Sequence, residues 1–279
     1  MAGKLTIVST PIGNLGDMPP RALDALREAD VVLAEDTRVT GKLLAALGVE
    51  GKRLERLDEN LMGSRADAVV QRVRDGEAIA YCTDAGMPGV SDPGLRLVAA
   101  ARACDDVVVE VIPGPTALAT AYVASGTTAQ AFYFGGFFPR KEKQRSDVLR
   151  DLTALDAALI FYESPNRVVQ ALEAIAREFP AREVAVCREL TKLHEEVTRG
   201  NSAQVLEDYR ARDSVKGEIV IVIDPPAQGE GVADEGDVKA RAAELAEQDM
   251  RAKDIAKALA KEFGIPRNKA YAIALEQLT

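Results

Sequence analysis

The segment Thr83-Asp84-Ala85-Gly86-Met87-Pro88-Gly89-Val90-Ser91-Asp92-Pro93-Gly94 carries two carboxylates, three glycines and two prolines within twelve residues. Glycines let a ligand approach the backbone closely, and prolines stiffen the loop around it. Asp84 and Asp92 offer hydrogen-bond acceptors or helix caps, and Asp92, placed before Pro93, has the position of an N-cap. Five other polar segments also follow an apolar run: Thr10-Pro11-Ile12-Gly13-Asn14, Glu35-Asp36-Thr37-Arg38, Pro113-Gly114-Pro115-Thr116-Ala117, Glu163-Ser164-Pro165-Asn166-Arg167 and Glu189-Leu190-Thr191-Lys192. Glu163, Asp84 and Glu35 stand at the ends of such runs and are the candidates for a general base, a role typically worth about 10²–10⁴-fold in rate.

Segments of this kind need strands behind them and helices after them. Short apolar runs predict strands at Leu5–Ser9, Val31–Ala34, Ala78–Cys82, Val107–Ile112, Ala131–Phe134, Ala157–Tyr162, Glu183–Arg188 and Glu218–Ile223. Amphipathic spacing predicts helices at Pro20–Glu28, Thr40–Leu47, Arg65–Arg74, Gly94–Ala103, Thr116–Ala124, Lys143–Leu152, Pro165–Glu178 and Ala203–Tyr209. Asp17 is the expected start signal of the first helix, and Gly48 and Gly76 close the second and third. The alternation predicts an α/β fold with mainly parallel sheets and helices on their faces. All six polar segments then emerge at the carboxyl edges of strands, where α/β proteins hold ligands and where helix N-termini offer unpaired N–H groups.

The turn Ala124-Ser125-Gly126-Thr127-Thr128 divides the pattern into an N-terminal α/β domain, 1–124, and a C-terminal one, 125–226. Pro225-Pro226 to Gly236 reads as a linker rich in Gly, Pro and acid, and residues 227–279 form the third segment, an acidic linker and a helical tail. In the tail, helices are predicted at Asp237–Glu247, Lys253–Phe263 and Arg267–Leu278, with a break at Gly264-Ile265-Pro266. That arrangement fits a helix-turn-helix contacting nucleic acid, or a small appendage that packs or dimerises.

With 279 residues, 47% hydrophobic and 28% charged, the composition is that of a soluble globular chain. No apolar run approaches the roughly 20 residues of a membrane span. The start Met1-Ala2-Gly3-Lys4 lacks a signal-peptide pattern, and isolated Cys82, Cys104 and Cys187 predict free thiols in a reducing cytoplasm. A net charge of −9 argues against a nucleic-acid coat, yet Arg140–Arg150 holds five bases against Glu142 and Asp147. Screening over about 8 Å lets such a patch act locally. Neither GxGxxG after the first strand nor GxxxxGK[ST] occurs, which argues against dinucleotide and P-loop sites. A lone His194 with scattered cysteines supplies neither a zinc site nor a Ser-His-Asp triad, and no metal is expected.

The stretches TPIGNLGD (10–17), AEDTR (34–38), TDAGMPGVSDPG (83–94), PGPTAL (113–118), FYESPNR (161–167), RELTK (188–192) and KGEIVIVI (216–223) resemble, in order and spacing, the tetrapyrrole-methylase superfamily. Within it they are similar to the bacterial small-subunit ribosomal RNA cytidine 2′-O-ribose methyltransferases. The resemblance implies two αβα domains with S-adenosylmethionine in a cleft between them, S-adenosylhomocysteine as product, and a homodimer. By position it implies that Pro11 and Ile12 line the cofactor site, with Asp84, Gly86, Met87 and Pro88 on the ribose or methionine part. Thr116 and Ala117 would hold the methionine end, and Tyr162, Leu190 and Ile219 would cover the adenine. One departure is plain: a histidine-rich segment frequent in the family is here Leu57-Asp58-Glu59-Asn60-Leu61, so no role can rest on those histidines.

The implied acceptor is the ribose 2′-hydroxyl of a decoding-region cytidine in 16S rRNA, offered as RNA or as the assembled 30S subunit. Arg38, Arg140, Lys141, Lys143, Arg145 and Arg167 are the candidates for RNA capture. Phe137 and Phe138, beside the basic run, either stack on a base or pack internally. Two other readings exist: a methyltransferase acting on a tetrapyrrole, and a non-catalytic nucleic-acid-binding module. ESPNR, the basic run and the helical tail speak against the first of these.

Overall fold

Alternation along the first strand decides how the first half is layered. In β1 (Lys4–Val8), Leu5 and Ile7 point to one face of the sheet and Val8 to the other, and all three are buried. A strand buried on both faces needs helices on both, and the sequence supplies them in turn. The computed structural model describes residues 3–226, 235–248, 250–263 and 267–277. It follows β1 with α1 (Pro20–Glu28), β2 (Val31–Ala34), α2 (Thr37–Ala46), β3 (Arg53–Arg56) and α3 (Glu59–Arg74). Next come β4 (Ala78–Cys82), α4 (Leu95–Arg102), β5 (Val108–Ile112) and α5 (Ala117–Ala124). The strands form a sheet of order β3-β2-β4-β1-β5, and each pair in it is parallel. Leu5, Ile7, Leu33, Ile79 and Tyr81 share a core with Met62, Val69 and Val73 of α3 and Leu97 of α4. Val8, Val32, Ala80 and Cys82 share the opposite core with Ala22 and Leu26 of α1 and Leu44 of α2.

The second half continues with β6 (Phe132–Phe137), α6 (Glu142–Asp151), β7 (Ala158–Glu163), α7 (Val168–Glu178) and β8 (Glu183–Arg188). After these come β9 (Glu196–Asn201), α8 (Ser202–Arg210) and β10 (Ile219–Ile223). Its sheet order is β6-β7-β10-β8-β9. β6 runs parallel to β7, but β10 is antiparallel to it, with Ile219 opposite Glu163 and Val220 opposite Tyr162. One face packs Leu159, Phe161, Val184, Val186 and Ile221 against Leu149 of α6, Leu172 and Ile175 of α7, and Val205 and Tyr209 of α8. Two compact units result: Met1–Ala124 with Cys187–Val197, and Ser125–Val186 with Thr198–Thr279.

In the tail, α9 (Glu235–Ala246), α10 (Ala252–Phe263) and α11 (Arg267–Glu276) share a small core of Val238, Ala242, Ile255, Leu259, Ala270 and Ile273. The linker at 227–234, the expected break at 264–266 and Leu278 lie outside the described residues.

The elements β2, β4, β8 and α1 have the bounds predicted from sequence. Two strands went unpredicted: β3, of sequence RLER, and β9, of sequence EVTRGN. Both are terminal in their sheets, where half-exposed backbone tolerates charged side chains. α2 and α3 start earlier than predicted because Asp36 and Asp58 cap them, accepting from Arg38 N–H and Leu61 N–H. Asp17 does not open α1; it ends a single 3₁₀ turn capped by Asn14, and Pro19 precedes the helix.

A close approach in the second sheet is directly testable. A Cβ on Gly135 would stand 2.2 Å from Cε1 of Phe161, a fully buried ring. Gly135→Ala is expected to destabilise the protein by about 1–3 kcal/mol through overpacking. A urea-unfolding midpoint equal to that of the parent would refute this close packing.

Candidate ligand site at the carboxyl edge of the first sheet

The loops that leave β1, β4 and β5 are tied to one another by their own backbone. Thr10 and Gly86 exchange two hydrogen bonds, Thr10 N–H to Gly86 O at 2.9 Å and Gly86 N–H to Thr10 O at 3.0 Å. Thr10 Oγ1 donates to Thr83 O at 3.2 Å, and Ser9 Oγ donates to Pro115 O at 2.8 Å. The loop after β2 joins through Asp36 N–H, which donates to Asp84 Oδ1 at 3.1 Å. Residues 187–197 belong to the same unit, and their Lys192 side chain lies so near Gly13 that a Cβ there would be 2.5 Å from Lys192 Cγ. Five of the six sequence segments are thereby gathered at one sheet edge. The sixth, Glu163 to Arg167, belongs to the second unit.

Three buried hydroxyl oxygens at this edge, Thr83 Oγ1, Thr116 Oγ1 and Thr191 Oγ1, have no hydrogen-bond partner in the protein. Buried hydroxyls left unpaired cost free energy, so their presence together marks a place for a polar ligand. Around them, Ile12, Gly86, Pro88 and Leu190 are buried, while Pro11, Met87, Thr116 and Ala117 are half-buried. Leu190 is flanked by Glu189 and Thr191, both with positive φ, 51° and 65°. Such backbone is uncommon outside glycine and is held here by Lys192 Nζ donating to Glu189 Oε1 at 2.8 Å and Thr191 N–H donating to Glu195 Oε2 at 2.6 Å.

The charges at this edge are unevenly balanced. Asp36 pairs with Arg38 at 2.5 Å, and the Arg38 side chain holds that carboxyl far below the usual range. Glu35 and Asp84 are both pushed upward, chiefly by burial. Asp92 is raised to about 7, by burial first and then by the negative charges of Glu35 and Asp84. The expected capping role of Asp92 does not hold. The N-cap of α4 is Gly94 at φ 141°, a conformation suited to glycine, which leaves the Asp92 side chain outside the first turn. No hydrogen bond or ion pair among the described residues reaches Asp92.

Tyr162 and Ile219 belong to the second unit, and the surroundings of the remaining positions are these. Ile219 is part of the second core, and the Tyr162 ring of β7 meets the Phe134 and Phe137 rings in T-shaped contacts, at 4.9 and 5.7 Å between centroids. Leu57, one of the departures from the family's histidines, is buried core; Glu59 is the exposed first residue of α3. His194 is exposed. Glu163 does not have the setting of a general base: its side chain is fully buried and binds Arg167 Nη2 at 2.6 Å and Ser164 N–H at 2.7 Å. It secures Arg167 instead. Arg145, expected on the surface, is 3% exposed, donating Nε to Pro139 O at 2.7 Å, and Phe138 is likewise buried. Arg38, Phe137, Arg140, Lys141 and Lys143 are exposed. The hydroxyls of Thr83 and Thr191 were not singled out from sequence, because a threonine beside a strand end carries no signal by itself.

Comparison with known proteins adds the lineage. Residues 4–206 match the family model of the Tetrapyrrole (Corrin/Porphyrin) Methylases, and residues 232–278 match the RsmI C-terminal HTH domain. A protein of Synechocystis sp. named Ribosomal RNA small subunit methyltransferase I is 37% identical over 279 residues, covering 98% of each chain. One of the same name from Hydrogenobaculum sp. is 41% identical over 222 residues, 79% of this chain and 95% of the relative. Among solved structures, the methyltransferase CobJ superposes with a TM-score of 0.61 at 19% identity, covering 80% of this chain and all (100%) of that one. Diphthine synthase does so with a TM-score of 0.62 at 16% identity, covering 80% and 91%; both likenesses concern the fold. The chain belongs to the tetrapyrrole methylase family and, within it, to the group of the ribosomal RNA small subunit methyltransferase I proteins.

Proposed function

We propose that the protein methylates the ribose 2′-hydroxyl of a decoding-region cytidine in small-subunit ribosomal RNA, with S-adenosylmethionine as donor. The observation that carries this reading is the three unpaired threonine hydroxyls in the loops at the carboxyl edge of the first sheet, in a chain of this family. The residues present fit the donor. Thr116, at the start of α5, offers a hydroxyl beside free N–H groups of the helix, a setting that suits the carboxylate of a methionine. Asp84 offers acceptor oxygens for ribose hydroxyls or an ammonium group, and Pro11, Ile12, Met87, Pro88 and Leu190 offer apolar walls. The family resemblance also implies Tyr162 and Ile219, which belong to the second unit. When bound, S-adenosylmethionine supplies an electrophilic methyl carbon on a positively charged sulfur.

The chain's own contribution is placement. Holding acceptor and donor in line accounts for about 7–11 kcal/mol of barrier lowering in well-aligned reactions, more than a general base adds. Glu35 and Asp84 are the carboxylates open to receiving the hydroxyl proton, and burial makes each a better base than a free carboxylate. Exposed Arg38, Arg140, Lys141 and Lys143, with Arg167 locked by Glu163, are proposed to hold the RNA backbone, and exposed Phe137 to stack on a base. The proposed substrate is ribosomal RNA or the 30S subunit, the proposed active form a homodimer, and the proposed compartment the cytoplasm. No described helix is long and apolar enough to cross a membrane.

Nucleoside analysis of ribosomal RNA from cells with and without the gene is expected to show loss of a 2′-O-methylcytidine. An unchanged nucleoside profile, or methyl transfer to a porphyrinoid but not to 30S particles, would overturn the assignment. Asp84→Asn is expected to weaken S-adenosylmethionine binding about tenfold to a hundredfold by calorimetry, the cost of losing a charged hydrogen-bond acceptor. Equal affinity of parent and variant would remove Asp84 from the site.

Asp92 gives a pH signature. Its native carboxyl stays protonated up to about pH 7, whereas an unfolded aspartate ionises near 4. Through that window the unfolded chain releases a proton that the native one keeps, so stability falls as pH rises from about 4 to 7 and then levels. Asp92→Asn removes the term, and its gain in melting temperature over the parent is expected to be larger at pH 8 than at pH 5. A gain independent of pH would contradict the burial of an ionisable Asp92.

A further inference from the structure

The second unit contains a cavity of ≈ 190 Å³ lined by Arg140, Arg145 and Arg177 together with Glu142, Glu173 and Gln170. Arg145 is the unusual member. It is 3% exposed, its Nε donates to Pro139 O at 2.7 Å, and its guanidinium carbon lies 6.0 Å from the Phe138 ring centroid. Its Nη2 is buried and has no partner in the protein. A guanidinium does not deprotonate in a protein, so a buried one without a carboxylate calls for an anion. None of the described carboxylates pairs with Arg145, and none pairs with Arg140 at the cavity's mouth.

The two acids in the wall are already engaged. Glu142 takes a hydrogen bond from Arg177 Nη1 at 3.1 Å, and Glu173 takes one from Arg210 Nη2 at 2.7 Å. Arg177 is held further by Ser146 Oγ at 2.8 Å, so its position is fixed before any ligand arrives. Glu142 is also the first residue of α6, whose N-cap, Lys141, makes no side-chain cap. The first-turn N–H groups of that ten-residue helix add their partial positive charge to the same rim.

We propose that this cavity is a binding site for a phosphate oxyanion, and that the phosphate belongs to the backbone of the RNA substrate. Arg145 forms the buried end of the site and Arg140 its mouth. The assignment to RNA rests on the rRNA methyltransferase reading; the affinity for phosphate does not.

The test uses the full-length protein, small-subunit ribosomal RNA in filter binding from 50 to 200 mM salt, and inorganic phosphate followed by calorimetry. Arg140→Ala is expected to weaken RNA binding about three- to tenfold and to lower the slope of log K against log salt by about 0.7–0.9, the value of one phosphate contact. Glu142→Gln, which removes a rim acid exposed over 76% of its side chain, is expected to move affinity the other way, about two- to threefold tighter. Arg145→Lys keeps the charge but loses the fork, and is expected to weaken both phosphate and RNA when measured well below the melting temperature, which loss of the hydrogen bond to Pro139 O lowers.

Unaltered affinity and slope in both Arg140→Ala and Glu142→Gln would overturn the site. Phosphate binding that responds to Arg145→Lys while RNA binding ignores all three variants would overturn the RNA source and leave a free-anion site. Methyl transfer by the parent in the same preparation separates the two readings. Transfer with unresponsive variants sinks the phosphate site alone; responsive variants without transfer sink the enzymatic reading alone.

Discussion

The two hydrogen bonds exchanged by Thr10 and Gly86 are the constraint on which the carboxyl edge of the first sheet depends. Parallel strands fix one another only as far as their ladders run, and the loops beyond are free unless something else ties them. Here the loop after β4 turns back and pairs with Thr10, two residues beyond β1. Ser9 and Thr10 then hold the loops after β5 and β4 by side-chain hydrogen bonds to Pro115 O and Thr83 O. Because β1 is paired on both sides, with β4 and β5, a rigid strand anchors the whole cluster. Loops fastened in this way keep their shape without a ligand, which lowers the ordering cost of binding one.

The electrostatics follow from the same crowding. Glu35, Asp84 and Asp92 are brought near one another at an edge where Arg38 already has its own partner in Asp36. Each of the three is held less acidic than usual, a condition that a positively charged ligand would relieve. The sulfonium of the proposed donor and an edge of under-compensated carboxylates are complementary in that sense. At the second unit the imbalance has the opposite sign: no described carboxylate pairs with Arg145 or Arg140, while the neighbouring Arg177 and Arg210 are matched by Glu142 and Glu173.

Much of the first sheet was legible because burial on two faces produces continuous apolar runs, as in Val31–Ala34 and Ala78–Cys82, and these announce themselves. Terminal strands do not; Arg53–Arg56 and Glu196–Asn201 have the composition of loops. The antiparallel placement of β10 was also invisible, since strand direction depends on which neighbour is chosen in space and not on the strand's own residues. The segments at the carboxyl edge were legible from Gly, Pro and acid content, but the jobs of individual residues were less so. Asp92 has the sequence position of a cap, and one glycine dihedral at Gly94 moves it out of reach. Arg145 sits in a charged helix facing outward by composition, yet its place on the α6 surface turns it inward against Phe138.

The first unit is not contiguous in the chain: residues 187–197 complete it, and Lys192 lies against Gly13. During synthesis the ribosome releases the N-terminal sheet well before it releases that closing segment. The nascent unit therefore exists for a time with its ligand edge unfinished, and the last piece arrives only after three strands of the second sheet have been made. Folding of the site is thus coupled to translation of the other half, and a truncated product ending near Ala124 would keep the first sheet's strands but lack the Glu189–Lys192 wall.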